Sequence, residues 1–180
     1  MSHFMTAANC ALLFIDWQER LFPVMNEKCR DRYLKNAENL HWLAKELDIP
    51  VLFSEQYPRG LGATLSALEA TAPIEKITFS ALQTPEFEQA LSRLEKPHVI
   101  LSGMETHICV AQTARDLGAA GYTVTVVADA VLSRRKLDWK IGLQRMTAEG
   151  CRISTTEGVL FEWLQRAGSE TFKALSKRIR

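Results

Sequence analysis

Three side chains with the chemistry of a covalent hydrolase stand far apart in the sequence: Asp16, Lys76 and Cys109. A cysteine thiolate attacks carbonyl carbons, and it needs a base to take its proton and a cation to stabilise its charge. Asp16 directly follows an apolar run, CALLFI (10–15), where a carboxylate is costly unless it is paired or solvated in a cleft. Cys109 fits a nucleophile and Asp16 a general base, whereas Lys76, taken alone, favours a structural position in a strand.

The segment LSGMETHICVAQTARDL (101–117) predicts a strand that ends at Gly103 and a helix that begins a few residues later. Thr106 is a candidate N-cap, which places Cys109 in the first helical turn. Free backbone N–H groups and the helix dipole stabilise an anion there, so we expect a lowered pKa for the Cys109 thiol. The same N–H groups can hold the oxyanion of a carbonyl under attack.

Each of these residues also has a purely structural interpretation. One structural interpretation of Cys109 is a small, buried apolar residue. The same interpretation is favoured for Cys10 and Cys151. Asp16 fits a helix cap or a loop aspartate. Lys76 lies between apolar neighbours and fits an outward-facing strand residue.

Strands alternate with helices along the whole chain, which predicts an α/β fold. Strands are expected at 10–15, 51–54, 74–79, 98–103, 122–129 and 151–155. Helices are expected at 31–48, 85–94, 106–120, 138–149, 157–166 and 169–180, and a long loop at 55–73. The expected architecture is a Rossmann-like three-layer sandwich with a mostly parallel, about six-stranded sheet.

The predicted topology brings the reactive side chains to one edge of the sheet. In such sheets the site lies beyond the carboxyl ends of the strands. Asp16 follows the first predicted strand, Lys76 lies beside the third, Cys109 follows the fourth, and Asp129 ends the fifth. We therefore expect these residues on one rim.

Composition limits the classes of partner. The 180 residues are expected to form one domain over 1–180, and 22 basic against 21 acidic residues give a net charge of +1. This balance argues against a nucleic-acid partner. The basic tail, with Lys173, Lys177, Arg178 and Arg180, fits a solvated helix end. Residues 1–9 lack the pattern of a signal peptide and no apolar run reaches the length of a membrane span, so a cytoplasmic location without a membrane partner is expected.

Several segments resemble the isochorismatase-like hydrolase superfamily, which includes the nicotinamidases and other cysteine amidohydrolases. The signatures are FIDWQ (14–18), EKITFSAL (75–82) and GMETHICVAQTARDL (103–117), and the similarity spans about residues 10–165. SEQYPRGLG (54–62) and the C-terminal half are most similar to the isochorismatase domain-containing proteins.

The resemblance implies a catalytic triad of Asp16, Lys76 and Cys109. It also implies a cis peptide between Met104 and Glu105, with the N–H groups of Glu105 and Cys109 as the oxyanion hole. The expected activity is hydrolysis of a small amide or related acyl substrate through a thioester, and no cofactor is expected. The substrate-contacting rim residues are expected to be Trp17, Gln18, Gln56, Tyr57 and Phe79.

The sequence departs from the nicotinamidases at their metal site. Those enzymes carry an Asp-x-His pair and a further histidine after the second strand, whereas SEQYPRGLGATL (54–65) has none. The histidines are His3, His41, His98 and His107, which are scattered, so no metal is expected.

Two alternatives to amide hydrolysis stay open at this point. One is cleavage of a vinyl ether, the isochorismatase reaction, which needs an acid–base aspartate and does not necessarily need a thiol. The other is a non-catalytic scaffold on the same fold. A homo-oligomer is expected in either case, because apolar residues recur late in the chain, at Leu160, Phe161, Trp163, Leu164, Phe172 and Leu175.

Overall fold

Six parallel strands form the centre of the protein in the computed structural model, which describes residues 5–179. The strands are β1 (Cys10–Ile15), β2 (Val51–Gln56), β3 (Ile74–Lys76), β4 (His98–Met104), β5 (Thr123–Leu132) and β6 (Arg152–Ser154). Their order across the sheet is β3-β2-β1-β4-β5-β6, and every neighbouring pair is parallel. The predicted α/β fold class is confirmed.

Helices cover both faces of this sheet. They are α1 (Arg30–Glu46), α2 (Pro58–Leu61), α3 (Pro85–Ser92), α4 (Ala111–Ala119), α5 (Lys136–Ala148), α6 (Thr156–Leu164) and α7 (Glu170–Arg178). Helices α1, α6 and α7 pack on one face, and α3, α4 and α5 contribute to the core on the other. None of the helices in residues 5–179 is long and apolar enough to cross a membrane.

Strand β1 shows why the central sheet is buried on both faces. Its six residues are all apolar and all buried. Alternate side chains enter opposite cores, because successive residues of a strand point to opposite faces: Leu12 and Phe14 face α1, whereas Leu13 and Ile15 face the other layer. The strand that carries Asp16 is therefore held from both sides.

Strand β5 is longer than predicted, and this removes Asp129 from the rim. The strand continues to Leu132, and its pairing with β4 shifts register between Leu101 and Gly103. Asp129 lies inside the strand, where its Oδ1 accepts hydrogen bonds from the Thr156 N–H (2.6 Å) and hydroxyl (2.9 Å). The prediction that Asp129 ends the strand was therefore wrong. The Asp129 carboxylate instead binds the first residue of α6.

The expected loop at 55–73 is partly structured. Strand β2 extends to Gln56, the short helix α2 follows, and Thr64 forms an isolated bridge with Gln18. The buried Glu55 carboxylate accepts hydrogen bonds from the Thr64 N–H and hydroxyl, which ties the segment to the sheet.

Most of the apolar residues late in the sequence pack against other residues of the same chain. Leu160, Trp163 and Leu175 are buried in the core, and Phe161 is 41% exposed with its ring against Phe172. They therefore give little support to a subunit contact. His3 and Arg180, and with them part of the predicted domain 1–180, lie outside the described residues.

Close packing between β1 and β4 requires a glycine at Gly103, whose φ is +155°. A Cβ there would clash with the Ile15 carbonyl oxygen and would lie 2.7 Å from the Ile15 Cβ. The glycine thus lets the Cys109 segment lie close to the end of β1.

We predict that Gly103→Ala lowers the free energy of unfolding by about 2 kcal/mol or more, because strand backbones cannot move apart cheaply. Gly118→Ala is the matched control, since a Cβ at Gly118 in α4 meets nothing within 4 Å. It should stabilise the protein by ~0.5–1 kcal/mol. Urea unfolding of both variants measures the difference, and equal midpoints would contradict the packing argument.

Candidate active site

The carboxylate of Asp16 is fully buried at the carboxyl end of β1. Its backbone takes a positive φ of 53°, which turns the chain out of the strand. Oδ1 accepts a hydrogen bond from the Ser54 hydroxyl at 2.7 Å, and Oδ2 accepts one from Lys76 Nζ at 2.7 Å. Both oxygens are therefore engaged, and the buried negative charge has a cationic partner.

Lys76 is the last residue of β3, and its side chain is only 1% exposed. Besides Asp16, its Nζ donates to Gln56 Oε1 at 2.7 Å and to the carbonyl oxygens of Thr78 and Phe79 at 3.2 Å each. The side chain thus points into the rim, so the structural alternative of an outward-facing lysine is excluded. An ammonium has three N–H donors, and these acceptors saturate them.

Cys109 lies in a π-helical turn, Thr106–Val110, that joins β4 to α4. The predicted cap differs from the structure, because the cap position is Glu105 and the Thr106 hydroxyl has no hydrogen-bond partner among the described residues. The peptide bond between Met104 and Glu105 is cis. The Cys109 thiol lies within interaction range of both Asp16 and Lys76, so the structure brings all three residues together.

The thiol of Cys109 does not have the lowered pKa that its position in a helical turn predicted. Burial and the negative charge of Asp16 raise its pKa from 9.0 to about 12, and Lys76 only partly opposes them. The side chain is buried, with 7% of the residue exposed, so desolvation of a thiolate outweighs the helical turn. Cys109 therefore rests as the thiol.

Burial also raises the pKa of the Asp16 carboxyl, and Lys76, Ser54 and Cys109 oppose this through charge and hydrogen bonds. A carboxylate with a raised pKa holds a proton more readily than one in water. This is the property that a residue needs if it is to take a proton from a thiol and later donate it.

Three of the predicted substrate-contacting residues have their side-chain polar atoms bonded within the rim. Trp17 is fully buried and its Nε1 donates to Ser102 Oγ at 3.1 Å. Gln18 is also buried, with its amide bonded to the backbone of Gln56 and Gly62. Gln56 accepts from Lys76 and donates to the Ile77 carbonyl. These polar atoms are therefore engaged within the protein.

Tyr57 and Phe79 are the two predicted contact residues that stay accessible, at 51% and 54% exposed. Tyr57 lines a surface cavity of about 420 Å³ that also has Lys76 and Ile77 in its wall. These side chains lie where a ligand can reach them.

Two polar contacts of the site were missed by the sequence analysis. Ser54 holds Asp16, and the only signal for it was a serine at the end of the apolar run of β2, beside β1. The buried Glu105 carboxylate accepts hydrogen bonds from the N–H and Nε of Arg134, both at 3.1 Å. Glu105 thus joins the residue before the π-helical turn to the segment that follows β5, and no local sequence pattern indicates such a contact.

The described residues contain no group of three or more His, Cys, Asp or Glu side chains that could hold a metal ion. His41 packs against Phe14 and Phe53 in the core, and His107 Nδ1 contacts Ser133 Oγ at 3.0 Å.

The sequence of this chain is similar to those of known proteins. The isochorismatase domain model matches residues 10–158. Isochorismatase domain-containing protein 2 from Danio rerio is 38% identical over 169 residues, which cover 92% of this chain and 84% of that protein.

Two solved structures have the same fold. MAR1 ribonuclease from Caenorhabditis elegans superposes with a TM-score of 0.89 and 32% identity, covering 98% of this chain and 92% of that one. The YcaC gene product from Escherichia coli, described as an octameric hydrolase of unknown specificity, has a TM-score of 0.91 and 22% identity, covering 99% and 91%. At this identity the YcaC likeness shows the fold only.

We predict that Asp16→Asn lowers the pKa of Cys109, because the carboxylate charge and hydrogen bond both raise it. Lys76→Ala should raise it, since the ammonium favours the thiolate. Alkylation by iodoacetamide across a pH series, with Cys109 followed by peptide mass spectrometry, gives each apparent pKa. Cys10, whose pKa burial raises to about 12, serves as the internal control and should respond to neither substitution. The same midpoint for Cys109 in all three proteins would refute the coupling.

Proposed function

Because the chain belongs to the isochorismatase family, we propose that it is a cysteine hydrolase of small amides or related acyl compounds. The observation that carries the proposal is the buried contact of Asp16 with Lys76 at 2.7 Å beside the Cys109 thiol. A base, a cation and a nucleophile in one buried cluster are what acyl transfer through a covalent intermediate requires.

The first half of the reaction forms a thioester. Asp16 takes the proton of the Cys109 thiol as the sulfur attacks the carbonyl carbon, so no free thiolate accumulates. The oxyanion is stabilised by the N–H groups of Glu105 and Cys109. The Glu105 N–H donates to no acceptor within the described residues, which leaves it available. The leaving amine takes the proton from Asp16, and the C–N bond breaks.

Hydrolysis of the thioester completes the cycle. Asp16 takes a proton from water, the resulting hydroxide attacks the thioester carbonyl, and the C–S bond breaks. The sulfur then regains the proton from Asp16. Lys76 stays bound to Asp16, Gln56 and two carbonyl groups throughout, and its positive charge stabilises whichever of Asp16 or Cys109 is ionised.

The two alternatives differ in what they require of Cys109. Vinyl-ether hydrolysis needs the acid–base aspartate, whereas amide hydrolysis also needs the thiol. A scaffold protein needs neither and gains nothing from a buried charge pair, which is costly to desolvate. The burial of all three side chains around one point therefore favours the amide reaction.

We predict that Cys109→Ala abolishes amide turnover, and that Asp16→Asn reduces it by about 10³-fold or more, because general acid–base catalysis contributes ~10²–10⁴. The double variant should be little worse than either single one, since the residues act as a unit. Cys151→Ala is the control and should retain activity. The measurements are turnover in a screen of small amides and mass spectrometry of the trapped acyl-enzyme, and retention of turnover by Cys109→Ala would end the thioester mechanism.

We also predict that turnover survives prolonged treatment with a chelator, because the segment 54–65 lacks the histidines that bind metal in nicotinamidases. The measurement is amide turnover before and after dialysis against EDTA, together with metal analysis of the protein. Loss of activity that added zinc or iron restores would contradict this.

The homo-oligomer stays a prediction for this chain, because the octamer is described for the E. coli YcaC product at only 22% identity.

A further inference from the structure

A second cavity, of about 350 Å³, opens at the carboxyl end of β5 and contains neither Asp16 nor Cys109 in its wall. Its wall comes from the segment before α1, from the start of α1, from the end of β5 and from the start of α5. A cavity of this volume is in the size range of small-molecule sites.

Three cations line this cavity: Lys28, Arg32 and Lys136. No acidic residue shares the wall, and none of the three cations forms an ion pair within residues 5–179. The protein as a whole carries a net charge of only +1, so positive charge is concentrated here. Cations that repel one another around a cavity are stabilised by a bound anion.

The ends of two helices add to the positive potential. The cavity wall includes Cys29, at the N-cap position of the 17-residue α1, and Lys136, the first residue of the 13-residue α5. Neither end has a side-chain cap hydrogen bond. The dipoles of both helices favour negative charge at the cavity. The first turns of these helices also hold Asp31 and Asp138, which do not line the cavity, so the three side-chain cations supply most of the positive charge there.

The remainder of the wall is flat and apolar. Tyr33 and Trp139 are half-buried there, with buried Leu132. The Trp139 indole is fixed because its Nε1 donates to the Ala128 carbonyl at 3.1 Å, and the Arg32 guanidinium lies 5.5 Å from the centre of the Tyr33 ring. Rigid aromatic walls beside cations suit a ligand with a planar apolar body and a negative group.

We propose that this cavity is a binding site for a small organic anion with an aromatic body, separate from the catalytic cluster. The cations and helix ends bind the negative group, and Tyr33, Trp139 and Leu132 pack against the ring. The proposal goes beyond hydrolysis and does not depend on it, because binding requires no chemistry at Cys109.

The test is calorimetric titration of the Cys109→Ala protein, which removes any turnover. The probes are phenyl phosphate and benzoate. Benzyl alcohol is the control that lacks the negative charge, and inorganic phosphate is the control that lacks the ring. We expect both aromatic anions to bind, with affinity falling as salt rises, and both controls to bind at least about tenfold more weakly. Equal binding of benzyl alcohol would overturn the anion site, and equal binding of inorganic phosphate would overturn the role of the aromatic wall.

Substitutions locate the site. Arg32→Met and Lys136→Met should each weaken phenyl phosphate binding by about tenfold, the value of one charge-assisted hydrogen bond. Lys140→Met is the matched control, since Lys140 is an exposed cation one turn later on α5 and does not line the cavity. Both cavity variants replace exposed side chains and should fold normally. Binding that falls equally in Lys140→Met, or in none of the variants, would overturn the proposal.

Discussion

The buried ion pair between Lys76 and Asp16 is the interaction on which the site depends. Each partner is almost fully excluded from water, and removing one partner of such a pair leaves a buried charge, at a cost of about 3–5 kcal/mol. The surrounding residues supply the remaining hydrogen bonds of this pair. The donor to Asp16 is Ser54, and the acceptors from Lys76 are Gln56 and two backbone carbonyls after β3. The first three strands of the chain are thus tied together at one point.

Much of the fold could be predicted from the sequence, because apolar runs and helical periods are local signals. The strand expected at 10–15 and the helix expected at 31–48 both lie where predicted, within two residues at each end. Strand ends were harder to predict: β5 continues through the polar Asp129, because that carboxylate is satisfied by Thr156 in α6, a partner 27 residues away. From sequence alone, a polar residue inside a strand is easily taken for the end of the strand, because its hydrogen-bond partner in the folded protein is unknown.

The candidate site was predictable in its residues but not in its electrostatics. The order of the strands places Asp16, Lys76 and Cys109 on one rim, and the resemblance to a known superfamily implies the roles that we propose for them. The pKa of Cys109 was predicted in the wrong direction, because a position near a helix start is visible in sequence whereas the depth of burial is not. The same holds for Trp17 and Gln18, whose side chains are buried within the rim.

Lys76 belongs to one of the two short edge strands of the sheet. Strand β3 has three residues, lies at the edge of the sheet and pairs only with β2. Short edge strands open at lower free energy than central ones, well before the whole molecule unfolds. Each such opening would hydrate Lys76 and separate it from Asp16. The lifetime of the assembled site is therefore set by fraying at one margin of the sheet, while the tightly packed centre stays intact.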